Sequence, residues 1–238
     1  MTVISKRPKR KLLKVKKREL SSGDLLDVDS VLLTTKLEKN AHARRANRLG
    51  ANELRFMRVG YWDIESTNLS PEFGFMLCYS IMDADGTLHT RRIDESPGYE
   101  AAKWDDRWLA RQCRDDLEKY QIIVGWNHIN FELNFLNTVL IRERLEPLDV
   151  SSIAMVDLLW ASRYRLRLTS NRLENVINYL ATEVHKTPLL GKLWKQASTG
   201  YQPALDLIVE HNVKDVQSLQ EVADLLSRFI KLQYRLVK

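Results

Sequence analysis

The chain has 238 residues, of which 44% are hydrophobic and 29% charged; that suffices for one large domain with a real core, or one domain plus an appendage, and is too apolar for a disordered chain. Its formal charge is +6, yet no apolar run approaches the ~18 residues that cross a bilayer and the first residues lack the apolar stretch of a signal peptide, so no membrane partner is expected. The two cysteines, Cys78 and Cys113, fall in a predicted strand and a predicted helix and read as free thiols of a reducing compartment, which makes a cytoplasmic location the expectation.

Residues 1–20 hold nine Lys or Arg, among them Lys9, Arg10 and Lys11, against the single acid Glu19. That segment is +8, so residues 21–238 carry −2 and the basic balance belongs to the tail. Such a run is disordered alone; it suits a phosphate backbone or serves as a solubilising tail. In residues 21–55, Asp29-Ser30 can cap a helix from Val31 through Lys39 to Arg55, rich in Arg in its second half. This extension packs on the body or binds a protein partner.

The body, residues 56–238, opens with a predicted strand over Phe56–Glu65. Gly74–Ala84 is a second, Asp85-Gly86 a hairpin turn and Thr87–Ile93 a third, which gives a three-stranded meander. Trp104, Trp108, Leu109, Cys113, Leu117 and Tyr120 recur at helical spacing. Ile122–Trp126 is a buried fourth strand, Phe131–Arg144 a helix, and Ile153–Val156 a short strand leading to Asp157. Leu173–Leu180 is helical. A loop rich in Lys and Gly follows (Lys186, Lys192, Lys195), and Pro203 opens the last helix.

Three segments carry chemistry. Asp63 and Glu65 stand two apart in Tyr61-Trp62-Asp63-Ile64-Glu65, so on a strand they share a face; crowded carboxylates are relieved by a divalent cation, or by solvent if the strand is an edge. In Gly125-Trp126-Asn127-His128-Ile129-Asn130-Phe131-Glu132, an acid sits where a strand hands over to a helix, the usual place of a site in an α/β sheet. Asn127 there either meets substrate or caps the helix. In Glu210-His211-Asn212-Val213-Lys214-Asp215, His211 and Asp215 lie four apart on one helical face. The apolar stripe of Leu205, Ile208, Val209, Val213, Val216, Leu219, Ala223 and Leu226 puts Asp215 at its edge and His211 just beyond.

Together these segments resemble the DEDD superfamily of 3′–5′ exonucleases, and most of all the YprB-type RNase H-like nucleases, over residues 56 to 231. Asp63 and Glu65 match the first motif, Asn127 through Glu132 the second, and His211 and Asp215 the third. Two departures stand out. Glu132 occupies a position where the family usually has Asp, and its carboxylate reaches further by one methylene. His211 lies four residues before Asp215, where many relatives have Tyr.

The resemblance implies an α/β, RNase H-like fold, with a mixed central sheet of about five strands flanked by helices. It implies hydrolysis of phosphodiester bonds with two Mg²⁺ or Mn²⁺ ions roughly 4 Å apart. Asp63 would bridge both ions, Glu65 and Asp215 would complete one, and Glu132 would hold the other. His211 would orient or deprotonate the attacking water, or fix the Asp215 carboxylate. Nucleic acid is the expected partner, single-stranded DNA first and RNA second, with Asn127, Lys186, Lys192, Lys195, Lys9, Arg10 and Lys11 as candidate contacts. Without a polymerase domain in this sequence, the expectation is a free-standing enzyme or a subunit. The competing expectations are a binding subunit that kept the fold and lost turnover, a structure-selective endonuclease, and an assembly subunit recruited through residues 1–55.

Overall fold

The computed structural model describes residues 57–180 and 190–230. The basic tail, the helical extension and Lys186 lie outside the described residues. The elements are β1 (Val59–Ser66), β2 (Met76–Asp83), β3 (Leu88–Arg92), α1 (Arg107–Leu117), β4 (Ile122–Gly125), α2 (Glu132–Arg142), β5 (Ala154–Asp157), α3 (Leu158–Arg165), α4 (Leu173–Leu180), α5 (Lys192–Ser198) and α6 (Gln202–Leu226).

The strands form one mixed sheet in the order β3-β2-β1-β4-β5. β1 and β3 pair antiparallel with β2; β4 runs parallel to both β1 and β5. This is the RNase H-like sheet, a meander extended by parallel strands. The β2–β3 turn closes as the sequence suggests. Asp83 and Thr87 join by a backbone hydrogen bond of 2.9 Å, Asp85 Oδ1 accepts from the Thr87 amide at 2.9 Å, and Gly86 takes φ 88°, a conformation that costs a side-chain-bearing residue energy.

Alternation along β1 sends its residues to two different layers. Trp62 and Ile64 face α1. Ile64 pairs with Tyr79, whose hydroxyl donates to Asp116 Oδ2 on α1 at 2.6 Å. Tyr61, Asp63 and Glu65 face the other way, toward α6. Two apolar clusters result. One centres on Trp62, Ile123, Leu136 and Leu140 under α1 and α2, and the other on Tyr61, Val124, Val216 and Leu219 under α6. Side chains this size contribute about 1.5–3 kcal/mol each when fully buried.

The structure departs from the sequence pattern in four places. α1 begins at Arg107 rather than near Trp104, because buried Asp106 accepts from the Met76 amide at 2.9 Å and pairs with Arg142, which anchors the helix start to β2 and α2. Trp104 is exposed. α3 was not anticipated; it leaves β5 with no intervening loop, its start fixed by Asp157, whose carboxylate accepts from Leu159 N at 3.0 Å. α5 replaces part of the expected Lys/Gly loop; its seven residues are too few to register as a period. In α6 the buried stripe runs through Ile208, Asn212, Asp215, Val216 and Leu219, while Val209 and Val213 are only partly buried. Asp215 is thus inside the stripe and not at its edge. Among the described residues no helix is long and apolar enough to cross a membrane.

Candidate active site

β1, β4 and β5 are parallel, so their carboxyl ends open on one side of the sheet, the place where sites form in such folds. Asp63 and Glu65 lie at the end of β1, and the register with β2 shifts directly after Glu65. Asp63 is 8% exposed. α6 crosses this end and delivers three consecutive or near-consecutive groups. The Asn212 amide donates to Asp63 Oδ2 at 2.7 Å. His211 Nε2 lies 3.7 Å from Asp215 Oδ2, an ion-pair distance too long for a hydrogen bond. Donor atoms of Glu65, His211 and Asp215 all fall within 4.8 Å of one another. Trp194 Nε1 on α5 donates to Glu65 Oε2 at 3.2 Å.

Glu132 arrives from the second motif. β4 ends at Gly125, where an added Cβ would lie 2.7 Å from His128 Cβ, so only glycine lets the chain fold back this tightly. Asn127 follows in the left-handed region at φ 63°, which Asn tolerates better than most residues. Its carbonyl accepts from Asn130 N and Phe131 N, both at 3.0 Å. α2 then starts at Glu132 with Phe131 before it and no side-chain cap. The expectation that Asn127 caps this helix is therefore corrected: its side chain meets Asn130, at 3.4 Å. Asp157, by contrast, is a helix cap: its Oδ1 accepts from Leu159 N at 3.0 Å and also from Asn127 N at 2.9 Å.

The electrostatics follow from this crowding. Burial, then the negative Asp63, then Asp157 hold the Glu132 carboxyl well above its ordinary range, and it shares a hydrogen bond with Asp63. Burial raises Asp157 too, although its backbone hydrogen bonds pull the other way. Glu132 Oε2 and Asp157 Oδ2 are buried without a hydrogen-bond partner among the described residues. Buried oxygens of this kind, with an imidazole beside carboxylates, are the donor set that a hard divalent cation takes. Glu65 and Asp215 fit one such ion, with the His211 ring beside them. Asp63 and Glu132 fit a second centre next to it.

Asp63, Glu65, Glu132, His211 and Asp215 thus come from three distant stretches of chain to one end of the sheet. Asn127 stands at its rim. Lys192 and Lys195 are exposed on α5, the helix that carries Trp194 onto Glu65. Lys9, Arg10, Lys11 and Lys186 are outside the described residues. Tyr61 and Trp62 are core residues. The residues sequence reasoning missed are Asn212 and Trp194. For Asn212 a signal existed: a polar residue midway between Ile208 and Val216, on the buried spacing itself. For Trp194 there was none, since its partner is 129 residues away.

A family model described as the RNase H superfamily matches residues 60–227. Among solved structures, the chain is similar to the family B DNA polymerase from the hyperthermophilic archaeon Pyrobaculum calidifontis, at 19% identity and a TM-score of 0.54. The match covers 70% of this chain and 24% of the polymerase, so the chain spans about a quarter of that protein's length, and the likeness is one of fold. No curated protein matches the sequence.

Proposed function

The chain belongs to the RNase H superfamily, and on that premise we propose that it is a metal-dependent 3′–5′ exonuclease of the DEDD type, hydrolysing phosphodiester bonds of single-stranded nucleic acid. The observation that carries this reading is the meeting of Glu65, His211 and Asp215 donor atoms within 4.8 Å, beside an Asp63–Glu132 pair in which burial and like charge oppose ionisation. The fold alone would not require acids there, since isolated buried carboxylates are costly.

Glu65, Asp215 and Asp63 would hold one Mg²⁺ or Mn²⁺ ion, and Glu132 with Asp63 the other. Bound ions of this kind supply Lewis-acid polarisation and charge neutralisation at the phosphodiester. The chain's own residues do the positioning. Asn212 fixes the Asp63 carboxylate and Trp194 fixes Glu65. His211 orients the attacking water and accepts its proton at Nε2. The 3′–5′ polarity rests on the resemblance of the three motifs. Asn127, Lys192, Lys195, Lys186 and the tail residues Lys9, Arg10 and Lys11 would contact phosphates, and residues 1–55 would serve recruitment.

A second reading, a binding subunit without turnover, is favoured by one observation: Glu132 shares a hydrogen bond with Asp63 deep in the site. The test is hydrolysis of thymidine 5′-p-nitrophenyl phosphate. Turnover that needs Mg²⁺ or Mn²⁺, stops with EDTA and is lost in Asp63→Asn and Asp215→Asn supports the nuclease. No turnover in either metal supports the binding subunit.

A further inference from the structure

From Leu158 to Leu173 the chain carries Arg163, Arg165, Arg167 and Arg172 and no Asp or Glu, within a body whose residues 21–238 sum to −2. All four arginines are exposed. Elsewhere Arg91, Arg92, Arg107, Arg114 and Arg142 each meet a carboxylate. Among the described residues, none of the four in 158–173 does so, and the Arg163 guanidinium instead lies 5.6 Å from the centre of the Trp160 ring.

This segment borders the acids. Trp126 and Asn127, just past β4, form a groove of about 490 Å³ with Arg163, Asn171 and Arg172. The Asn127 amide is hydrogen-bonded to Asp157, whose charge bears on Glu132. On the other flank of α3, Trp160 and Tyr164 stack with centroids 5.4 Å apart and planes 9° apart, and Tyr164 is 68% exposed. Both rings line a second hollow of about 200 Å³ with Phe229 and Ile230.

We infer that residues 158–173 form the track on which a single strand of nucleic acid lies as its end reaches the acids. Arg163 and Arg172 contact successive phosphates and the Tyr164 ring stacks on a base. Unpaired arginines beside a groove suit a polyanion, because each phosphate contact releases condensed counterions. The exposed ring selects a single strand, since a base can stack on it only when it has left its own duplex. The inference rests on the nuclease reading for the course of the strand, while the charge and ring exposure stand without it.

The test is binding of a fluorescein-labelled oligothymidylate to the full chain in EDTA, by anisotropy across a salt series. Arg163→Ala/Arg172→Ala is expected to bind about tenfold more weakly at low salt, and its slope of log K against log salt should be shallower by about 1.4, two single-strand phosphates at roughly 0.7 each. Arg163→Lys/Arg172→Lys should recover most of that slope. Tyr164→Ala should weaken binding with the slope unchanged. Arg111→Ala/Lys119→Ala, on the α1 side of the sheet, should bind as the native chain does. An unchanged slope in the Arg163/Arg172 pair, or an equal loss in both pairs, would overturn the track. Hydrolysis of the nitrophenyl ester by the native chain reports on the acids separately: ester turnover without a binding response sinks the track alone, and a binding response without ester turnover sinks the nuclease reading alone.

Discussion

The Asn212 side-chain amide donates to Asp63 Oδ2 at 2.7 Å, joining α6 to β1 across 149 residues of sequence. A carboxylate only accepts, so the amide orientation is fixed by its partner. Asn212 is fully buried, and the bond therefore forms where water does not compete. It locks the strand acid to the helix that brings His211 and Asp215.

Asn212→Ala should destabilise the protein by about 1–3 kcal/mol, the usual effect of leaving a buried partner unsatisfied. Asn212→Asp should cost more at neutral pH, since it buries a second negative charge against Asp63. Urea unfolding in EDTA checks the order, and an Asp variant as stable as the native chain would contradict it.

The core of this site was legible because its acids sit on regular elements. Asp63 and Glu65 follow the two-residue period of β1, and Asp215 follows the helical period of α6. Glu132 was readable from the strand-to-helix handover at Gly125. The fold, too, followed from the meander signal at Asp85-Gly86 and the apolar fourth strand. What stayed hidden depends on long-range or very short features. Trp194 meets Glu65 only after α5 folds over β1, and α3 follows its Asp157 cap with no loop between it and β5. The stripe of α6 was misplaced because Val209 and Val213 look more core-like than Asn212, and only the tertiary bond to Asp63 reverses that.

Glu132 gives a pH dependence with a defined sign. Its carboxyl is held above its ordinary value near 4.5 by burial, Asp63 and Asp157, so the folded chain keeps a proton that the unfolded chain has lost. Its stabilising contribution is whole below pH 4.5 and is lost as pH rises. In EDTA, the stability of Glu132→Gln relative to the native chain should grow as pH increases above 4.5. Urea midpoints measured across pH check this; a constant difference would contradict it.

His128 sets an acid limb. It is fully buried beside Trp62, with ring centroids 6.3 Å apart, and desolvation lowers its pKa from 6.5 to about 3 against the pull of the Gly125 carbonyl. The unfolded chain takes up a proton below pH 6.5 that the folded chain refuses. Stability should fall by about 1.4 kcal/mol per pH unit in that window, relative to His128→Gln. Parallel pH curves for the two proteins would argue against a buried neutral ring.

Trp194→Phe keeps the apolar contact of α5 and removes the 3.2 Å hydrogen bond to Glu65. A group that orients a metal-holding carboxylate typically governs affinity by 10–100-fold. The Mn²⁺ concentration needed for half-maximal ester hydrolysis should rise by about tenfold, with the unfolding midpoint little changed. An unchanged Mn²⁺ requirement would remove Glu65 from the ion's surroundings.

The most direct test is a timed digestion of 5′-labelled single-stranded DNA and RNA by the full chain in Mg²⁺ or Mn²⁺. A ladder that shortens from the 3′ end, absent with EDTA and in Asp63→Ala/Asp215→Ala, is expected. A ladder that persists in the double variant, or internal cleavage of a circular strand, would contradict a 3′–5′ exonuclease built on these acids.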